Sequence, residues 1–142
     1  MNVLILNGPN LNLLGTREPE TYGTQTLDDL EDALQSAFPD VGLAFAQENG
    51  EGALIDRLHA AHRDGLAGVV LNPGGYTHTS VALHDAVAAI DPPVVEVHLS
   101  NIHAREAFRR TSRIAPACIG QITGLGLSGY HLAVRYLVEH GT

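Results

Sequence analysis

No lysine occurs anywhere in this 142-residue chain. An imine between a lysine side chain and a carbonyl substrate is therefore excluded, and any chemistry on a ketone must use other groups. Cysteine is nearly absent as well. Cys118 stands alone, which excludes an intrachain disulfide and reads as a small buried hydrophobe in a strand. No apolar run approaches the length needed to cross a membrane. Positive charge is scarce too, with eight arginines against sixteen acids and a formal charge of -8. General binding to a nucleic-acid backbone is disfavoured by that balance, although a few converging arginines can still hold an acidic metabolite. No basic segment precedes the first apolar run Val3-Leu4-Ile5-Leu6, so no signal peptide is expected and a cytoplasmic location is.

What is present suffices for one domain with a sizeable core, since 44% of the residues are hydrophobic. Residues 2–6 read as a buried strand that Gly8 and Pro9 end. Residues 7–25 then form a long polar loop, unusual in a compact domain and therefore a candidate lid, with its mobile part expected at about 15–25. Thr26 opens a helix, with Asp29 as a shortened capping box and Pro39 as its stop. A strand fits 42–47 and a helix 52–64, on which Leu54, Ile55, Leu58, Ala61 and His62 could share a face. Leu66 to Leu71 form a third strand, 79–90 a helix, Val94 to Leu99 a fourth strand and 103–110 a short helix. Ala117 to Ile122 form a fifth strand. A last helix should set Leu132, Ala133, Tyr136 and Leu137 against the sheet.

Five strands alternating with helices predict an α/β fold, a flavodoxin-like doubly wound parallel sheet in three α/β/α layers forming a single domain over residues 1–142. Chemistry in such sheets gathers beyond the carboxyl ends of strands, here the first, third and fourth. The polar clusters follow those strands.

Tyr22 is either a general base or a surface-loop tyrosine. A free phenol titrates near pH ~10, but an arginine close by would stabilise its phenolate, and Arg17 is near enough in sequence. Glu96 and His98 share one face of the fourth strand, because side-chain direction repeats every two residues. His98 is a candidate proton-transfer group or a satisfied strand histidine. Glu96 either orients it or forms an ion pair at an interface. Leu99, Ser100 and Asn101 follow, where backbone donors could take a carboxylate or phosphate. Asn72-Pro73-Gly74-Gly75 makes a tight turn after the third strand. His78 and Asp85 read as polar ligands or as cap and surface groups, and Arg105, Arg109 and Arg110 as a solvated face from which Arg109 could meet a ligand. His59 and His62, or His98 and His103, give weak support for metal, with no HExxH pattern or cysteine cluster. No dinucleotide fingerprint or phosphate-binding loop occurs, so no cofactor is expected. A non-enzymatic flavodoxin-like binding module stays open at this level.

Four separated motifs agree in order and spacing: Asn7-Gly8-Pro9-Asn10-Leu11-Asn12, Gly15-Thr16-Arg17-Glu18-Pro19 with Tyr22-Gly23, Asn72-Pro73-Gly74-Gly75-Tyr76 with His78, and Glu96-Val97-His98-Leu99-Ser100-Asn101. Together they resemble type II 3-dehydroquinate dehydratase, essentially from end to end. The resemblance implies dehydration of 3-dehydroquinate to 3-dehydroshikimate through an enolate, with no Schiff base, cofactor or metal. It implies Tyr22 as base, Arg17 as the cation favouring its phenolate, and Asn12 as the residue placing a water on the enolate oxygen. His98 would be the acid, with Glu96 beside it. Substrate contacts would come from Asn72, Gly74, His78, Leu99, Ser100 and Arg109, and from Asp85 across a trimer interface. A dodecamer built from trimers is implied as well.

Overall fold

In a computed structural model of the chain, residues 1–16 and 18–140 are described, apart from the side chains of Thr21 and Tyr22. Five parallel strands form one sheet in the order β2-β1-β3-β4-β5. They are β1 (Asn2–Asn7), β2 (Gly42–Gln47), β3 (Gly68–Asn72), β4 (Val94–His98) and β5 (Gly120–Thr123). Four helices cover it: α2 (Leu27–Ala37), α3 (Glu51–Arg63), α4 (Val81–Ala89) and α5 (Ser128–His140), while a one-turn helix α1 (Pro19–Tyr22) lies in the first loop. This is the flavodoxin-like three-layer arrangement predicted above. Among the described residues, no helix is long and apolar enough to cross a membrane.

Strand alternation decides which helix covers which face. Val3, Ile5, Val70, Val95 and Val97 pack with Leu30 and Leu34 of α2 and Ala133, Val134 and Leu137 of α5. The intervening Leu4, Leu6, Val69, Leu71 and Val94 pack with Leu54 and Leu58 of α3 and Leu83 and Val87 of α4. Both faces of the sheet are therefore dry, which accounts for the nearly continuous apolar runs of β1 and β3. At the start of α2, Thr26 Oγ1 accepts from Asp29 N at 3.2 Å and Asp29 Oδ2 accepts from Thr26 N at 2.9 Å, completing the capping box.

Several sequence expectations shift. The first loop is not structureless, because Leu11–Leu13 form a 3-10 turn that buries Leu11, and Leu14 is buried after it. The fifth strand begins at Gly120 rather than Ala117. Pro116 lies in a 3-10 turn, Ala115–Ala117, whose preceding Ser112 hydroxyl accepts from Ile114 N and Ala115 N. Cys118 thus precedes the strand, half-buried, and burial next to the Glu96 charge raises its thiol to about 12. The helix expected at 103–110 is two 3-10 turns, Ile102–Ala104 and Ala107–Arg110, separated where Arg105 takes an extended backbone. On α5 the buried stripe is Tyr130, Ala133, Val134 and Leu137, at helical spacing, so Leu132 and Tyr136 lie outward and exposed. On α3, His62 is exposed and accepts a backbone hydrogen bond from Asp91 N.

Candidate active site

Reversal of strand order between β1 and β3 opens a crevice at their carboxyl ends. There a cavity of about 150 Å³ is lined by Asn10, Asn72, Gly74, His78, His98, Leu99, Ser100, Ile102, Arg105 and Arg109, among others. Two glycines bring its walls together. Gly8 N donates to Asn72 O at 2.7 Å, and a Cβ at position 8 would lie 2.6 Å from Pro73 O. Gly74 has φ +60 beside Pro9, a backbone region that favours glycine. Behind the first loop, Gln47 Nε2 donates to Gly8 O at 3.0 Å and Asn49 Oδ1 accepts from Asn10 N at 3.0 Å. The loop entry is thus tied to the end of β2.

Glu96 is fully buried at the centre of a donor cluster. Its carboxylate accepts from Thr77 Oγ1 at 3.2 Å, Ser112 Oγ at 2.9 Å, Gln121 Nε2 at 2.8 Å and His98 Nε2 at 2.5 Å. Burial by itself raises the carboxyl pKa. Hydrogen bonding to His98, the His98 charge, and the bonds from Gln121 and Ser112 outweigh it and hold Glu96 below its usual range. An ionised Glu96 must receive a proton from His98 Nε2, so the imidazole has one committed nitrogen and Nδ1 remains for a ligand. That is the geometry of an oriented proton-transfer histidine.

The same pairing has a consequence for acid stability. Because the folded pKa lies below the unfolded value of 4.5, Glu96 stabilises the fold above that pH. The contribution disappears as pH falls through the folded pKa. Glu96→Gln should cost about 1–3 kcal/mol at pH 7, and the difference between the two proteins should shrink towards pH 3 in urea titrations. An unchanged difference across that range would contradict the assignment.

His78 approaches from the turn after β3. Its Nδ1 donates to Thr111 O at 2.9 Å, leaving Nε2 as an acceptor, and its ring lies 6.4 Å from that of His98 at an interplanar angle of 24°. Burial lowers the His78 pKa, with the charges of His98 and Arg109 acting in the same direction against the Thr111 bond and Glu96. A neutral His78 suits a hydroxyl ligand rather than an anion. Arg109 is paired with Glu106 and lies over the Phe108 ring, 4.9 Å from its centroid. After β4, the carbonyls of His98, Leu99 and Ser100 accept from Gly124 N, Gly126 N and Thr123 Oγ1 respectively, which anchors that turn to the β5 side.

With this geometry in view, a family model described as dehydroquinase class II matches residues 1–138. The chain belongs to the class II dehydroquinase family. It is 58% identical to the 3-dehydroquinate dehydratase of Jannaschia sp. strain CCS1 over 142 residues, covering 99% of this chain and 95% of that protein. It is 59% identical to the Bacillus pumilus 3-dehydroquinate dehydratase over 140 residues, covering 97% and 95%. The crystal structure of type II dehydroquinase from Butyrivibrio crossotus superposes with a TM-score of 0.95 at 42% identity, covering 97% of each chain.

Of the residues singled out from sequence, Asn72, Gly74, His78, His98, Leu99, Ser100 and Arg109 meet at the cavity, with Glu96 hydrogen-bonded to His98. Asn12 does not line it and lies exposed on the 3-10 turn. Asp85 is also away from this cavity, on the exposed side of α4, with Oδ1 3.1 Å from His84 Nδ1. Arg17 and the Tyr22 side chain lie outside the described residues. Arg105 is the residue that sequence reasoning passed over. It lines the cavity, and its guanidinium reaches Ser100 Oγ at 3.3 Å and approaches Glu18 Oε2 at 4.0 Å. A cation among other arginines carries no marker of its own.

Proposed function

We propose that this cleft dehydrates 3-dehydroquinate to 3-dehydroshikimate and water by anti elimination, within the shikimate route to aromatic amino acids. The observation that carries the reading is His98, held by a buried, hydrogen-bonded Glu96, on the floor of a polar cavity in a class II dehydroquinase fold. No lysine exists to form a Schiff base, so the carbon acid is activated without a lysine imine, here through charge and hydrogen bonds.

In this reading Tyr22, as phenolate favoured by Arg17, takes a proton from the carbon beside the ketone. The released electron pair forms an enolate, whose oxygen meets a water held by Asn10, which lines the cavity where the exposed Asn12 does not. Collapse of the enolate expels the neighbouring hydroxyl, which takes a proton from His98 and leaves as water. Tyr22 then returns its proton to solvent and the imidazole regains one, restoring both groups. Separating base from acid lets the two proton transfers occur in stages.

Backbone N–H groups of Leu99 and Ser100 would hold the substrate carboxylate, with Arg105 adding positive charge to that side. Asn72, His78 and Arg109 would recognise ring hydroxyls, and Gly74 would let the backbone approach closely. Asp85, exposed on α4, would serve the cavity of a neighbouring subunit in a trimer, four of which would form a dodecamer. Residues 15–25 would close over the substrate as a mobile loop and exclude water. A cytoplasmic location completes the proposal.

Metal-free protein incubated with 3-dehydroquinate should produce the conjugated product, followed by ultraviolet absorbance, and borohydride should not trap an enzyme adduct. Absence of turnover by folded protein would move the assignment to a non-enzymatic ligand-binding role.

A further inference from the structure

A buried hydrogen-bond chain on the opposite face of the sheet from Glu96 ends at the cavity floor. Asn7 and Asn72 are the last residues of β1 and β3 and are register partners. Strand alternation turns both towards the layer that contains α5, where Tyr130 is wholly buried. The Tyr130 hydroxyl donates to Asn7 Oδ1 at 2.5 Å and accepts from Asn72 Nδ2 at 2.9 Å. Asn72 Oδ1 in turn accepts from Gly74 N at 3.1 Å. Asn7 is not among the residues lining the cavity, whereas Asn72 is.

A phenol has one proton. Since Asn7 Oδ1 takes it, the Tyr130 oxygen can only accept from Asn72, and this selects the amide nitrogen of Asn72 for that side. The amide oxygen is left for Gly74 N, and one N–H remains for a ligand. A flipped Asn72 would set its oxygen against the phenol oxygen and its nitrogen against Gly74 N, losing both bonds. Burial raises the Tyr130 pKa above that of an ordinary phenol, so the proton stays in place at any working pH. The same burial makes Tyr130 unsuited to be the base of the reaction.

We infer that Tyr130 is a positioning residue for substrate binding, fixing through its hydroxyl which end of the Asn72 amide is offered to a substrate hydroxyl. The inference rests on the dehydratase reading above. It assigns to α5, which contributes no cavity-lining side chain, a part in selecting the orientation of a donor in the cavity.

Steady-state kinetics and thermal melts of wild type, Tyr130→Phe, Asn72→Ala and the double variant test it. Tyr130→Phe should raise KM roughly three- to tenfold with little change in kcat, as expected for loss of one neutral hydrogen bond made equally to substrate and transition state. In the Asn72→Ala background the same change should lower Tm but leave KM where it is. A Tyr130→Phe variant with lowered Tm and unchanged KM would overturn the inference, since a purely structural role moves only stability. Equal fold-changes in KM in both backgrounds would overturn it as well. If Tyr130→Phe does not fold, Asn7→Ala replaces it, because removing the acceptor frees the phenol proton to turn towards Asn72. Asn7→Ala should then raise KM only when Asn72 is present. Wild-type protein that turns over no 3-dehydroquinate would fail the dehydratase reading itself, whereas turnover with additive variants fails the Tyr130 inference alone.

Discussion

Replacing His98 with alanine should lower kcat by roughly 10²- to 10⁴-fold, the usual contribution of one positioned proton-transfer group. His98 is the only cavity-lining residue among those described that bonds to the buried Glu96 carboxylate. Its removal withdraws the proton that the departing hydroxyl requires, and hydroxide is a poor leaving group without it. KM should change far less, because the proposed contacts to the substrate hydroxyls and carboxylate come from other side chains and from backbone. The deletion also strips Glu96 of its principal counter-group, and a buried charge without a partner is costly. His98→Asn is therefore the companion variant, offering Glu96 an amide donor while remaining unable to transfer a proton. Both variants should be slow, but His98→Asn should melt at the higher temperature. Added imidazole should restore part of the His98→Ala rate by occupying the vacated space. A folded His98→Asn retaining wild-type kcat would remove His98 from the proposed mechanism.

Tyr22→Phe should abolish detectable turnover, with a loss of at least about 10³-fold. Phenylalanine keeps the ring and removes the phenol oxygen proposed to accept the proton. Arg17→Ala bears on the same step from the other side. In the proposed mechanism activity should rise with pH as the phenol ionises; if Arg17 favours the phenolate as proposed, removing its charge should move that rise to higher pH. At neutral pH the variant is slow; at alkaline pH it should recover part of the lost rate. Full neutral activity in Tyr22→Phe would exclude it as the base. A pH–rate profile in Arg17→Ala that overlays the wild type would exclude electrostatic support by Arg17.

How legible the site was from sequence depended on the kind of residue. Glu96 and His98 could be paired from their two-residue spacing on a strand, a local geometric rule that tertiary contacts leave intact. Asn72 and Gly74 were legible locally only as parts of the turn that Pro73 and Gly74 impose, and their place in the site came from the motif resemblance. Arg105 was left on a solvated face from which Arg109 alone was singled out, because the helical run expected there breaks into two short turns. Ser112 and Gln121 were invisible as Glu96 ligands, lying 16 and 25 residues away in the chain. Tyr130 was hidden further still, since its partner Asn7 is 123 residues distant and the expected α5 stripe, right at Ala133 and Leu137, took Leu132 and Tyr136 in place of Tyr130 and Val134.

The sequence by itself determined the alternation of strands and helices, the capping of α2 by Thr26 and Asp29, and the lack of any lysine for imine chemistry. Periodicity, turn residues and composition are local quantities, so they survive being read one residue after another. The tertiary structure decided which donors surround Glu96, which end of Asn72 faces Tyr130, and that Arg105 enters the cavity while the chain's own Asp85 and Asn12 do not line it. Those outcomes depend on crossovers that bring the ends of β1, β3 and β4 side by side. Contacts between residues far apart in sequence carry no local signature.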